Sequence, residues 1–421
     1  MAGKLNINVR SEIGELEGVI LHTPGSEVEN MTPKNAERAL YSDILNLSVA
    51  QKEYAQLSNV LGKLTKTFQV KDLLADIITN EKVKENLLNK ICKHEQKCNL
   101  SDHLKGLDNK ELARQLIEGV VEEKDTLTRY LNKERYSLRP LHNFFYTRDA
   151  AMSVLDDVLI GRMASNVRER ESLIMEAIFD YHETFVTKTV NPLNSPNYNS
   201  QTSIEGGDVL IARDDILCIG TGLRTTSQGI DFILERLLAQ KEKKRHILIQ
   251  ELPYKPESFI HLDMVFTFLD QDTCMVYEPL ILQTNKYQTI HITIENGKVI
   301  SIKEEENLLK SLKDLGMDLK PVLCGGSKDP WIQEREQWHS GANFFAVGPG
   351  KVVGYERNVY TIEEMNKAGF DILRANDIIK GKVDPKNYKK YAITLEGSEL
   401  PRGGGGARCM TMPVRRKPVK W

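Results

Sequence analysis

The feature that most constrains the fold is a unit that the chain repeats. "DVLIARDDILCIGTGLRTTSQGIDFILERLL" from Asp208 and "AMSVLDDVLIGRMASNVRERESLIMEAIFDY" from Ala151 follow one plan. Each runs apolar strand, Asp-Asp turn, apolar strand, glycine, arginine and amphipathic helix. "NFFAVGPGKVVGYERNVYTIEEMNKAGFDIL" from Asn343 repeats it with Pro-Gly-Lys at the turn, "MVFTFLDQDTCMVYEPLIL" from Met264 supplies another hairpin, and "LEGVILHTPGSE" a shorter strand. Short apolar strands joined by tight turns and followed by a helix of 3.6 period make an α/β unit. Four or five such units predict a cyclic, propeller-like packing rather than one doubly wound sheet.

One block departs from the plan. Between about Gln51 and Tyr136 helix formers dominate, with no credible strand after Phe68–Val70. "LDNKELARQLIEGVVEE" places Asp108 to cap a helix, Glu111 at the reciprocal box position, and Leu112, Leu116 and Val120 on one face. The division expected is an α/β catalytic domain from 1–70 and 137–421 with an inserted helical domain at 71–136, the latter structural or oligomeric in role.

Composition narrows the class. In 421 residues, 57 basic side chains nearly cancel 59 acidic ones, so a nucleic-acid or acidic-membrane partner is not expected. The basic run "VRRKPVK" reads as a solvated tail. No apolar run approaches the roughly 20 residues that span a bilayer, and the N-terminus has no signal-peptide core. Cys92, Cys98, Cys218, Cys274, Cys324 and Cys409 lack a tight framework, as reduced thiols of a cytoplasmic protein would. Cys92, His94 and Cys98 come nearest to a metal motif, but on an exposed helical stretch no metal is expected there.

Polar clusters precede the hairpins: "NFFYTRD" (Asn143 to Asp149), "EGGD" (Glu205 to Asp208), "HLD" (His261 to Asp263) and "HSGAN" (His339 to Asn343). Singly they have plain readings: a satisfied surface histidine, a glycine turn, an ion pair. Their matching position in successive units predicts that they converge. Near the C-terminus, "RGGGGARC" sets Cys409 behind four glycines, as a sharp exposed turn presenting a thiol would. A thiol and a histidine suit nucleophilic catalysis. Asp149 and Asp263 suit a planar cation, because two carboxylates can hold both sides of a guanidinium. Arg168 and Arg224, placed alike in two units, with Arg402 and Arg408 beside the glycines, suit an anion at the ligand's far end. Guanidinium at one end and carboxylate at the other describe arginine.

"NFFYTRD", "EGGDVL", "HLDMVFTF", "REQWHSGANFFAVGPGKVVGYERN" and "GARCMTMP" together resemble the arginine deiminases, from about Ser11 to the C-terminus. The resemblance implies the pentein fold, a five-bladed α/β propeller of ββαβ units carrying an inserted helical bundle. It implies hydrolysis of L-arginine to L-citrulline and ammonia without cofactor or metal. Cys409 would be the nucleophile, His261 the acid and then the base, Glu205 its orienting partner, and Asp149 and Asp263 the guanidinium holders. Asn143, Arg168 and Arg224 would bind the amino-acid end. Arg402 is preferred to Arg408 as the remaining carboxylate contact, with both left open. Tyr146 stands where many members carry phenylalanine. The expected partner is the small substrate alone, on a homo-oligomer of two or more chains. Rival readings are a dimethylarginine or agmatine hydrolase, an amidinotransferase, and a non-catalytic arginine-binding protein.

Overall fold

A computed structural model describes residues 3–32, 41, 43–97, 100–241 and 244–421. The repeated unit is present five times among them. In the second sheet, Ala151–Val154 pairs antiparallel with Asp157–Ile160, and the helix Glu169–Tyr181 returns the chain so that Lys188–Val190 lies parallel to the inner strand. The same order recurs with Val209–Arg213, Ile216–Thr221, helix Ser227–Leu238 and Arg245–Glu251. It recurs again with Phe266–Asp270, Thr273–Val276, helix Leu308–Asp314 and Lys320–Leu323. In the fifth, Phe345–Gly348 and Lys351–Tyr355 lead through helix Val359–Lys367 to Asp371–Arg374 and Tyr391–Leu395, and the latter pairs parallel to the hairpin.

The first sheet is built from both ends of the chain. Leu16–Leu21 pairs antiparallel with Met412–Arg416 and, beyond helix Leu47–Leu64, parallel with Lys66–Gln69. The basic run is therefore not a solvated tail at its start. Arg415 and Arg416 are strand residues, and Arg416 is buried with its guanidinium over the Phe345 ring. Pairing with Leu16–Leu21 is a contact across nearly the whole chain, which local charge patterning does not report.

Neighbouring sheets touch through the strands that follow the polar clusters. Met412–Arg416 packs on Ala151–Val154, Leu16–Leu21 on Phe345–Gly348, and Phe345–Gly348 on Phe266–Asp270. A bridge from Arg162 to Ile204 joins the second sheet to the third. The third sheet is widened by the antiparallel hairpin Thr289–Glu295 and Lys298–Glu305, which branches from the fourth unit.

The helical block follows from its caps and faces. The helices Val70–Ile77, Glu81–Glu95, Ser101–Lys105 and Asn109–Glu118 bury Leu74, Leu88, Leu112 and Leu116 with Ile174, Met175 and Ile178 of Glu169–Tyr181. Each such side chain is worth about 1.5–3 kcal/mol on leaving water. Asp108 caps as expected, accepting from the Lys110 and Glu111 backbone N–H groups. Glu111 does not complete the box: its carboxylate pairs with Arg114 at the next turn. A short pairing of Val120–Val121 with Tyr136–Leu138 closes the block, a strand the helix-rich composition concealed. Cys98 lies outside the described residues. No described helix is long and apolar enough to cross a membrane.

Candidate active site

The polar clusters become short helical turns immediately before the hairpins. They are Thr147–Ala150, Gly206–Asp208 and Leu262–Met264, and the first and third both pack against the second. Two glycines explain why they can. A Cβ on Gly207 would overlap the His261 ring, and one on Gly206 would meet the Arg148 carbonyl oxygen. The glycine pair is thus required by close approach of the second and fourth leading turns.

His261 is 1% exposed, and its Nε2 lies 2.9 Å from Glu205 Oε2. The other Glu205 oxygen accepts the Ala164 N–H at 3.0 Å and lies 3.7 Å from an Arg224 nitrogen. Burial opposes the charge on Glu205, but Arg224, His261 and Arg168 outweigh it and hold its pKa at about 2. Burial likewise opposes the imidazolium. Asp149, Glu205 and Asp208 overcome it and raise His261 to about 9. The pair is therefore an ion pair at neutral pH, with the imidazole proton retained.

Each aspartate has one oxygen held by an arginine. Asp149 Oδ2 accepts from Arg168 at 2.8 Å, while its Oδ1 has no hydrogen-bond partner among the described residues and lies 3.8 Å from His261 Nδ1, itself unpartnered. Asp263 Oδ2 accepts from Arg408 at 2.8 Å, and its two oxygens stand 3.8 and 4.0 Å from Cys409 Sγ. A buried acceptor without a donor is costly, and a cation with several N–H groups would satisfy it.

Cys409 is 3% exposed, so the expected exposed turn is a buried one. The glycines fold the loop inward rather than presenting it to solvent. Cβ atoms on Gly405 or Gly406 would come within about 2.5 Å of the Tyr146 ring or 2.6 Å of Asn343 Oδ1. Burial first, then Asp263 and Asp149, push the thiol well above its usual range. The sulfur waits as a neutral thiol until positive charge arrives.

The arginines divide differently from their sequence positions. Arg408 is fully buried, donating to both Glu12 oxygens at 3.0 Å, to Asp263 and to the Val209 carbonyl at 2.9 Å. Arg402 has a 41% exposed side chain paired with Asp43 and Glu399. Arg168 binds Asp149 and, through Nε and Nη2, the carboxylate of Glu171. Arg224 is buried beside Glu205, and its Nε has no hydrogen-bond partner among the described residues. Asn143 and Glu171 line a cavity of about 270 Å³ that His94, Glu95 and Gln96 of the helical block wall on one side.

Asp149, Glu205 and His261 keep candidate ligand atoms within 4.8 Å of one another, close enough to share an ion. Glu205 is spent on His261 and the Ala164 N–H, and Asp149 keeps one oxygen. Two inward atoms are fewer than the three protein ligands of a usual catalytic metal site. The open Asp149 oxygen suits a flat organic cation, while the imidazolium Nδ1–H beside it is itself a donor.

Comparison with known proteins decides the relationship. The family model for arginine deiminase matches residues 37–416. The chain belongs to the arginine deiminase family. The arginine deiminase of Bacillus cereus (strain B4264) is 33% identical over 432 residues, covering 98% of this chain and 99% of that protein. That of Oenococcus oeni is 32% identical over 438 residues, covering 99% of each. Among solved structures, the product-bound N-terminal domain of ArgZ, an arginine dihydrolase from cyanobacteria, is 14% identical, covers 95% of this chain and 97% of its own, and has a TM-score of 0.53. That likeness concerns the fold.

Against the arginine deiminase resemblance, Cys409, His261, Glu205, Asp149 and Asp263 come together, with Arg168 and Arg224 bordering them. Arg402 is partly exposed and pairs with Asp43 and Glu399. Glu12 and Glu171 carry no signal in the sequence, and Asp208 is read there only as the end of the "EGGD" cluster, with no role of its own. Glu12 lies in "VRSEIGE", where nothing local distinguishes it, and its partner is Arg408. Asp208 accepts the Leu262 N–H and so fixes the turn carrying His261. Burial raises its pKa to about 7.

Proposed function

We propose that the chain hydrolyses free L-arginine to L-citrulline and ammonia through a covalent thiouronium on Cys409. The observation that carries this is the pairing of one inward carboxylate oxygen on Asp149 with Asp263 beside the sulfur, around a buried His261–Glu205 ion pair. The guanidinium would sit between the two aspartates. Its positive charge would reverse the field that keeps Cys409 protonated, because a nearby cation lowers a thiol pKa. The thiol proton would be released to solvent as arginine binds, His261 being already protonated. The thiolate would attack the guanidinium carbon, and His261 would give its proton to the departing ammonia. Neutral His261 would then take a proton from water as that water attacks the thiouronium carbon, expelling the sulfur and leaving citrulline. Arg168, Arg224 and Asn143 would serve the amino-acid end. Residues 71–136 would form an inserted helical domain on a catalytic core of 1–70 and 137–421, whose five sheets would close as a pentein propeller.

The test is a substrate panel of free arginine, agmatine and dimethylarginine, scored by ureido product and ammonia. Turnover of arginine alone is expected, because agmatine lacks a carboxylate for Arg168 and Arg224. Turnover of agmatine at a comparable kcat/KM rejects the assignment, and so does arginine binding without citrulline.

The charge state of His261 sets a pH limb. With a pKa of about 9, the imidazolium is present at neutral pH and lost above it. Since kcat/KM reports groups of the free enzyme, the thiol, held well above its usual range, also enters, because it must lose its proton before attack. The expected kcat/KM therefore rises with pH and levels off beyond about 9, where gain of thiolate is offset by loss of the imidazolium. A profile of kcat/KM for arginine from pH 6 to 10.5 checks this, and a rise that continues undiminished through pH 10 would remove His261 as the proton donor.

A further inference from the structure

Asn343 ends the turn of the "HSGAN" cluster, which no part of the mechanism above uses. It is 1% exposed and lies two residues before the start of the strand Phe345–Gly348. Its Oδ1 accepts two successive backbone N–H groups, from Arg408 at 2.9 Å and from Cys409 at 3.3 Å. Its Nδ2 donates to the Asp263 carbonyl at 3.1 Å and reaches Cys409 Sγ at 3.2 Å. These partners fix the orientation of the amide. Turned over, it would set an N–H₂ against two N–H donors and an oxygen against a carbonyl. One side chain thus ties together the leading turn of the fourth unit, its own turn in the fifth, and the catalytic loop ahead of the first sheet.

The surroundings of the sulfur make that donor important. Asp263 lies within 4.0 Å, Asp149 is close by, and Tyr146 packs under the loop. The carboxylates oppose a thiolate, and burial removes water that would solvate it. Arg408 favours the anion through its charge but has no donor to spare for the sulfur, being bound to Glu12, Asp263 and the Val209 carbonyl, and the Gly406 backbone N–H is a further donor. Asn343 Nδ2 is a neutral donor already in place on the sulfur. A hydrogen bond to the charged form favours that form.

We propose that Asn343 is a positioning residue for the nucleophile: its amide N–H stabilises the Cys409 thiolate while its carbonyl holds the backbone that aims the sulfur. This rests on the assignment of Cys409 as nucleophile, but its readout does not require turnover. The full-length protein is alkylated with iodoacetamide across pH 5 to 10.5 without arginine, and modification of Cys409 is quantified by peptide mass. In Asn343→Ala the midpoint of that reaction is expected to rise by about one pH unit or more, the tenfold change that a hydrogen bond to a charged group is worth. Asn343→Asp keeps the acceptor and sets a carboxylate oxygen against the sulfur, so its midpoint should rise further. In Asn343→Ala, kcat for arginine should fall at least about tenfold with KM within about threefold. If Asn343→Asp does not fold, Asn343→Ala alone decides. A midpoint unchanged in Asn343→Ala, at a melting temperature near the parent's, overturns the proposal even where kcat falls. A parent protein that makes no citrulline would overturn the function and leave the thiol measurement standing.

Discussion

Cys409→Ser is expected to lower kcat for arginine by at least about 10⁴-fold while leaving arginine binding measurable. The hydroxyl preserves shape, and the substitution removes one property, the ability to form an anion near neutral pH. Here that property is finely balanced. Burial and two carboxylates already oppose the anion, and the incoming cation, the Asn343 amide, the Gly406 backbone N–H and the charge of Arg408 favour it. A serine in that setting has no route to an alkoxide. Asp149 and Asp263 remain to hold a guanidinium, so the variant should retain ligand. The measurement is citrulline formation beside calorimetric titration with arginine. Activity within about tenfold of the parent would reject the covalent route. Loss of both activity and binding would place Cys409 in the binding site without establishing chemistry.

Legibility from sequence followed the range of the interactions. The hairpins and their helices could be read because strand alternation, turn residues and helix period are local. The four clusters could be expected to converge because they occupy one position in the repeat, and three of them are now seen as leading turns packed together. What could not be read were partners chosen by the tertiary fold. Arg402 and Arg408 flank the same glycines and look equivalent in sequence, yet one pairs with Asp43 at the surface and the other with Glu12 in the interior. Cys409 looked presented because glycines are usually loop residues. They are here because Tyr146 and Asn343 leave no room for Cβ atoms, so they bury the thiol instead. "VRRKPVK" failed in the same way, since charge runs are solvated unless a distant strand claims them.

The second large effect expected is on stability and concerns Arg408. Its guanidinium lies between Glu12 and Asp263 on a side chain only 1% exposed. Burial works against Glu12 as an anion, and Arg408, with Arg148 and Arg416, holds its pKa down at about 2. Burial raises Asp263, and Arg408 is the chief group opposing that rise. Arg408→Met keeps much of the volume and removes the shared cation, leaving two buried carboxylates without their principal counter-charge. Breaking a buried pair in this way costs about 3–5 kcal/mol, where a surface pair costs about 0–1. Arg402→Met removes an ion pair of the surface kind and is expected to shift stability by less than about 1 kcal/mol. Denaturant unfolding of the two variants at one pH therefore separates two arginines six residues apart. Adding Glu12→Gln to Arg408→Met should recover part of the loss, because one stranded charge is then gone. Equal effects for Arg402→Met and Arg408→Met would show that Arg408 does not carry the interior network, and the placement of Asp263 beside the sulfur would lose its anchor.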